Sequence, residues 1–155
     1  MTTETQITSV MDYLQADHRR LDGIMTTCTE LADAGDLVEA AKHFAKFRDG
    51  LVRHIKIEEG LVFPELEAAT GLSKTDGPTG VMRIEHEEIL GKLSQIEELF
   101  AGENLLPDEF QSLRASLVSL LHTHNMKEEQ IIYPMTDKTL ASDRLVDLVK
   151  TMKEF

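Results

Sequence analysis

One block of eleven residues occurs twice in this chain and limits what the chain can become. His54-Ile-Lys-Ile-Glu58-Glu59-Gly-Leu-Val-Phe63-Pro64 returns seventy positions later (124 − 54 = 70) as His124-Asn-Met-Lys-Glu128-Glu129-Gln-Ile-Ile-Tyr133-Pro134. Each copy sets a His and a Glu four positions apart. On an α-helix that spacing stacks the two side chains on one face, one turn apart. Imidazole and carboxylate together suit borderline metals such as iron, manganese and zinc. Two such pairs facing each other can hold a binuclear metal centre.

The residues around these blocks read as helices. Met11, Leu14, His18, Leu21, Met25, Cys28 and Ala32 follow one another in steps of three and four, the seam of a packed helix over about 8–34. Gly35 ends it, and Asp36 with Glu39 has the form of a capping box for a second helix over 36–70. The second seam is Ala40, Phe44, Phe47, Leu51, His54, Glu58 and Leu61, with Pro64 expected to kink or end its regular part. Gly71 to Gly80 is rich in breakers and reads as a loop. A third helix, 78–101, begins at Pro78 or Thr79 and carries Met82, His86, Ile89, Leu93, Ile96 and Phe100. A turn from Ala101 to Pro107 leads to a fourth helix, 107–133, with Phe110, Leu113, Leu117, Leu120, His124, Glu128 and Ile131, and Pro134 is expected to end it. Residues 142–154 form a short amphipathic fifth helix. No stretch alternates as a half-buried strand does. The chain is therefore expected to be one all-α domain over residues 1–155, an up-down-up-down four-helix bundle with a short fifth C-terminal helix.

The repeat extends beyond the two blocks. Asp17-His18 lines up with Glu85-His86, and each pair precedes its HxxxE block by a similar distance (54 − 18 = 36; 124 − 86 = 38). The chain thus reads as two helical hairpins, each giving a His from one helix and HxxxE from the next. Packed antiparallel with approximate two-fold symmetry, they bring four His and two Glu to one level. An unpaired carboxylate in an apolar seam costs several kcal/mol, on the order of what drives a group to change its charge state. No Lys or Arg lies in the seams, Lys127 standing at an edge, so a pair of bound cations is the simplest balance. A lone histidine in a seam is usually a satisfied core residue. Four of them in register with a duplicated HxxxE block are not explained that way.

Charge narrows the partners. Acidic residues outnumber basic ones 28 to 16, for a net charge of −12, which argues against nucleic acid and against an anionic membrane surface. The single cysteine, Cys28, excludes an intrachain disulfide. Met1 to Gln6 lacks the basic and apolar segments of a signal peptide, and no apolar run reaches spanning length, so a cytoplasmic location is expected.

The order H…HxxxE…H…HxxxE, from about His18 to Pro134, resembles the hemerythrin-like family of HHE cation-binding proteins. The resemblance implies a hemerythrin-like bundle in which His18, His54, Glu58, His86, His124 and Glu128 bind two iron ions, a non-haem di-iron centre with Glu58 and Glu128 bridging beside an oxo or hydroxo group. The chain departs from the oxygen-carrying members at two places. Leu90 stands where they carry a further His, and the last carboxylate, Glu128, follows its His by four positions rather than five. A near-symmetric site is expected, one metal on His18 and His54, the other on His86 and His124. Asp22, one turn after His18, is a candidate seventh ligand, although a solvated carboxylate is the plainer reading. Glu59 and Glu129 are expected to be exposed or to accept hydrogen bonds from the ligating imidazoles.

The remaining residues have plainer readings. His122 should face outward and His43 lies too far along its helix to reach the same metals. Cys28, Met25 and Met82 read as core, and Phe63 and Tyr133 as packing just past the metal level, with a relay through Tyr133 as the less favoured role. Leu21, Leu51, Ile89, Leu93 and Leu120 are expected to sheathe the centre from water. Open coordination at both irons favours turnover over reversible O2 binding. The expected function is chemistry on O2, hydrogen peroxide or nitric oxide, including catalase- or peroxidase-like activity, with a small diatomic or peroxide ligand and an electron donor that the residues do not specify. The alternative is reversible O2 binding, sensing or iron storage without turnover.

Overall fold

The computed structural model describes residues 8–102 and 107–155. The expected reading of Met1 to Gln6, and most of the turn expected between Ala101 and Pro107, lie outside the described residues. The first hairpin is α1 (Val10–Asp33) followed by α2 (Leu37–Ile57), a π-turn (Glu58–Val62) and α3 (Phe63–Thr70). The second is α4 (Pro78–Ala101) followed by α5 (Pro107–Lys127), a second π-turn (Glu128–Ile132) and α6 (Tyr133–Thr139). α7 (Ser142–Glu154) closes the chain. The described residues contain no strand. α1 packs on α2 and α4 on α5, and the two pairs join into the expected four-helix bundle with its fifth helix.

Local chemistry sets the helix ends. The Ser9 side chain caps α1 by accepting the Asp12 N–H at 3.0 Å. Asp36 caps α2 through the Glu39 N–H, but the Glu39 carboxylate takes Lys42 at 3.2 Å, so only half of the expected capping box forms. Gly35 and Gly71 supply the left-handed turns, at φ 83° and 74°, that stop α1 and α3. The breaker-rich loop after Gly71 ends where expected, with α4 beginning at Pro78. Gly80 lies inside α4, where a Cβ would meet the Thr75 carbonyl at 2.5 Å.

Pro134 does not end its helix, contrary to expectation, whereas at Pro64 the regular part of the helix is interrupted by a π-turn within the expected 36–70 span. The Phe63 N–H reaches back five residues to the Glu58 carbonyl, and the Tyr133 N–H does the same to Glu128. The next residue in each case is the proline, which has no N–H to give. The wide π-turn therefore returns to α register where a donor is missing anyway, and the helix continues for about two more turns. The extra residue in each π-turn also shifts the inward face by one. Val62 and Ile132 are buried where Leu61 and Ile131 were expected, and Ile131 is exposed.

Two apolar clusters result, one on each side of a polar layer. Leu21, Phe47, Leu51, Ile89, Leu93 and Leu121 belong to the first, and Leu14, Ile57, Val62, Phe63, Ile132 and Tyr133 to the second. α7 covers the second cluster with Leu148, Val149 and Met152. It is held there by Arg53, which donates to the Tyr13 hydroxyl and to the Met152 carbonyl at 3.1 and 3.2 Å. No helix among the described residues is long and apolar enough to cross a membrane.

Candidate metal centre

The polar layer holds the two halves of the repeat. His18 comes from α1, His54 from the last turn of α2, His86 from α4 and His124 from the last turn of α5, while Glu58 and Glu128 each open a π-turn. All six side chains are buried. They form two groups, His18, His54, Glu58 and Glu128, and then His86, His124, Glu58 and Glu128, with the ligand-type atoms of each group within 4.8 Å of one another. Both glutamates serve both groups, one oxygen each way. Glu58 turns Oε2 to His54 at 3.5 Å and Oε1 to His86 at 3.1 Å. Glu128 turns Oε1 to His18 at 3.2 Å and Oε2 to His124 at 3.1 Å.

The hemerythrin HHE cation binding domain matches residues 9–136. The chain belongs to that family. Among curated proteins, a DNA nickase from Nostoc sp. (strain PCC 7120 / SAG 25.82 / UTEX 2576) is 21% identical over 142 residues, 92% of this chain and 37% of that protein. The hemerythrin-type chain thus spans little more than a third of that relative's length. No solved structure is found to match it.

Four carboxylates outside the two groups set the imidazoles. His18 Nδ1–H donates to Glu129 at 2.8 Å and His86 Nδ1–H to Glu59 at 2.6 Å, the role expected for both glutamates. His54 Nδ1–H donates to Asp17 and His124 Nδ1–H to Glu85, both at 2.8 Å. The last two pairs were not anticipated, although Asp17 and Glu85 directly precede the first His of each hairpin in the repeat. With its Nδ1–H committed to a carboxylate, each imidazole in its neutral, metal-binding form turns its Nε2 lone pair to the centre of the layer. Asp17 is further held by Arg20 at 2.8 Å, and Glu85 by Lys127. The rule is regular. The acid before a hairpin's first His steadies that hairpin's own second His, and the acid after the shared Glu steadies the first His of the other hairpin.

The layer is short of positive charge. Burial opposes a charged imidazole, yet Glu58 and Asp17 outweigh it at His54, whose pKa rises to about 10. At His86 burial is outweighed by Glu128, Glu58 and Glu59, and the pKa rises to about 11. Glu58 Oε1, Glu128 Oε2 and His86 Nε2 are buried without a hydrogen-bond partner. An unpaired buried acceptor costs on the order of 1–3 kcal/mol, more when charged. Lone pairs converging on one another are what a cation satisfies, and these six residues fit one in each group.

The other candidates separate cleanly. Asp22 is exposed and joins neither group. His122 is exposed, as expected, and His43 bonds the Glu39 carbonyl one turn back. Cys28 is fully buried, and burial pushes its thiol up to about 11, so it is core. Leu121, not Leu120, is the buried leucine above the layer.

Tyr133 departs most from its expected packing role. Its ring is buried and its hydroxyl sits among the donors of the first group, 2.6 Å from Glu58 Oε2 and 3.0 Å from Glu128 Oε1. His18 Nε2 and His54 Nε2 lie 3.2 and 3.3 Å from it. Phe63, its counterpart in the repeat, has no oxygen to offer and stacks on His86, with centroids 5.9 Å apart and planes 4° apart. The signal was present in the sequence as the one Tyr/Phe difference between the two blocks.

Space at the centre is limited. A cavity of about 10 Å³ lies over the layer beneath Leu51, Ile89 and Leu121, enough for about one water-sized molecule. A groove of about 540 Å³ runs between α1 and α5 and reaches His18 and Glu129. Leu121 and Asn125 line both, so they form the partition between the groove and the cavity.

Proposed function

We propose that the centre holds two iron ions and performs redox chemistry on O2, hydrogen peroxide or nitric oxide, with peroxide turnover of the catalase or peroxidase kind as the leading activity. The observation that carries this reading is the pair of His2Glu2 groups sharing both glutamates. Structural zinc favours closed tetrahedra rich in Cys and His, a different donor set. Two iron ions held so close supply or accept two electrons together, which suits a small oxidant. The protein's own part is to aim four Nε2 lone pairs inward, to split each carboxylate between the two positions, and to keep water out. Leu51, Ile89 and Leu121 do the last, and the small cavity they roof supports a ligand of about two non-hydrogen atoms over an organic substrate. Glu59, 37% exposed and bonded to His86, links the layer to solvent and offers a route for a proton.

The enclosed apolar roof equally supports a second reading, reversible O2 binding without turnover. Purified protein is loaded with ferrous iron, its metal content measured, and the diferrous form mixed with O2, peroxide or nitric oxide in a stopped-flow cell. Catalytic loss of peroxide or nitric oxide supports the leading activity. A stable band that bleaches under vacuum, with no turnover, replaces it with the carrier reading. Binding of nucleic acid, as the name of the Nostoc relative would suggest, draws no support from a net charge of −12.

A further inference from the structure

The first group contains more acceptors than its hydroxyl can serve. A phenol has one hydrogen to donate. Around the Tyr133 oxygen stand Glu58 Oε2, Glu128 Oε1 and the Nε2 atoms of His18 and His54, at 2.6 to 3.3 Å. In the neutral imidazoles that metal binding requires, those two Nε2 atoms are acceptors, because their Nδ1–H groups serve Glu129 and Asp17. In that form one hydrogen faces four lone pairs, and at most one of them is satisfied. The spacing has a second meaning. In an octahedral shell with metal–ligand bonds of about 2.1 Å, neighbouring donors lie about 3.0 Å apart. Tyr133 keeps such distances to all four donors of its group, as one vertex of an octahedron does to the four beside it. The structure records no contact of that oxygen with His86 or His124.

We propose that Tyr133 is a seventh protein donor of the centre, ligating the metal held by His18 and His54 and not the one held by His86 and His124. The proposal rests on the di-iron reading above and adds to it that the two metal positions are chemically unequal, although the helices around them repeat. The difference is one oxygen atom, present in Tyr133 and absent from Phe63. It supplies on one side what Asp22, exposed on α1, does not. On binding a ferric ion the phenol O–H bond breaks, the oxygen–metal bond forms, and the proton passes to solvent. No electron moves in that step. The position with Tyr133 has five protein donors and its partner four, so the open coordination needed by a small ligand is concentrated on the His86 and His124 side. The small cavity lies on that side too, since His86 and His124 line it with His54, whereas His18 and Tyr133 do not.

The test reads the ligand itself. Wild-type protein and Tyr133→Phe are loaded with iron, oxidised, analysed for metal and examined by visible absorption and resonance Raman spectroscopy. The expected result is a visible charge-transfer band in the wild type whose excitation enhances tyrosinate ring vibrations, with complete loss of both in Tyr133→Phe. Two irons per chain without tyrosinate vibrations in the wild type overturn the proposal alone and leave the di-iron reading in place. Fewer than two metal ions per chain in the wild type overturn both. The wild-type spectrum decides even if Tyr133→Phe folds poorly.

Discussion

The two halves of the centre are built from the same parts and are not the same. Each has two histidines from one hairpin, two shared glutamates, and a carboxylate on every Nδ1–H. The aromatic residue that closes each half comes from the opposite hairpin. Tyr133 brings an oxygen to His18 and His54, whereas Phe63 brings only a ring face to His86. Duplication thus supplies a symmetric frame in which a single oxygen atom, present on one side only, makes the two groups unequal. The charge requirement belongs to the frame, and on the proposed reading the reactivity belongs to the difference.

The strongest way to break the symmetry of the frame is to remove what both halves share. Glu58→Ala or Glu128→Ala takes one donor from each position and is expected to abolish tight binding of both metals. His54→Ala or His124→Ala takes a donor from one position only, and metal content is expected to fall from two ions per chain to one. Plasma emission analysis of protein loaded under identical conditions checks this. Loss of only one metal in Glu58→Ala would show that the carboxylate does not bridge.

Next in size is the partition between groove and cavity. Leu121→Ala removes a buried side chain from the first apolar cluster, at a cost of about 2–4 kcal/mol in unfolding free energy. It also opens the layer to the groove, so reaction of the diferrous form with O2 should accelerate. Leu93→Ala, in the same cluster but lining neither space, should lose comparable stability without that acceleration. Urea denaturation and stopped-flow oxidation together separate the two effects.

A finer contrast lies in the carboxylates behind the imidazoles. Substituting such a group typically costs 10- to 100-fold in metal affinity. Glu129 is held by Gln15 at 2.9 Å as well as by His18, and is less exposed than Glu59. Glu129→Gln is therefore expected to weaken its metal position more than Glu59→Gln weakens the other, as read in competition with a chromophoric chelator.

Much of this was legible in the residues because it follows from period and composition. The seams placed His18, His54, His86 and His124 inward, and the HxxxE spacing placed both glutamates beside them. Glu59 and Glu129 were legible as hydrogen-bond acceptors because each directly follows a shared Glu. What was not legible depended on backbone that departs from 3.6 residues per turn. Pro134 after its aromatic reads as a stop and Pro64 as a kink or a stop, yet an i→i−5 hydrogen bond lets each helix pass its proline. That passage moves Val62 and Ile132 inward and carries Tyr133 to the metal level. Asp17 and Glu85 were visible in the repeat, but one position before an inward His is neither clearly in nor clearly out. Leu121 displaced Leu120 for the same reason, both lying near the edge of the seam.

The smallest effect extends the comparison beyond the metals. Four residues past each aromatic stands an acid, Glu67 after Phe63 and Asp137 after Tyr133, and each grips the start of the other hairpin's first helix. Asp137 accepts the Val10 and Met11 N–H groups at 2.8 and 3.0 Å, a backbone clamp on α1. Glu67, buried, accepts instead from the side chains of Thr79 and Arg83 on α4, and Arg83 also lies 5.3 Å from the centre of the Phe63 ring. Burial raises the Glu67 pKa, but Arg83 and Thr79 outweigh it and the net shift is downward from 4.5. The folded carboxyl then binds a proton less readily than the unfolded one, so its stabilisation is fully present above about pH 4.5, declines below it, and is lost as pH falls through the lower folded pKa. Glu67→Gln should therefore cost about 1–2 kcal/mol at neutral pH, with the difference from wild type shrinking as pH falls below 4.5. Urea midpoints of the two proteins between neutral and acid pH, measured without metal, give the curve. A difference that stays constant across that range would mean Glu67 acts through its shape and hydrogen bonds, and that its charge contributes nothing to holding α3 against α4.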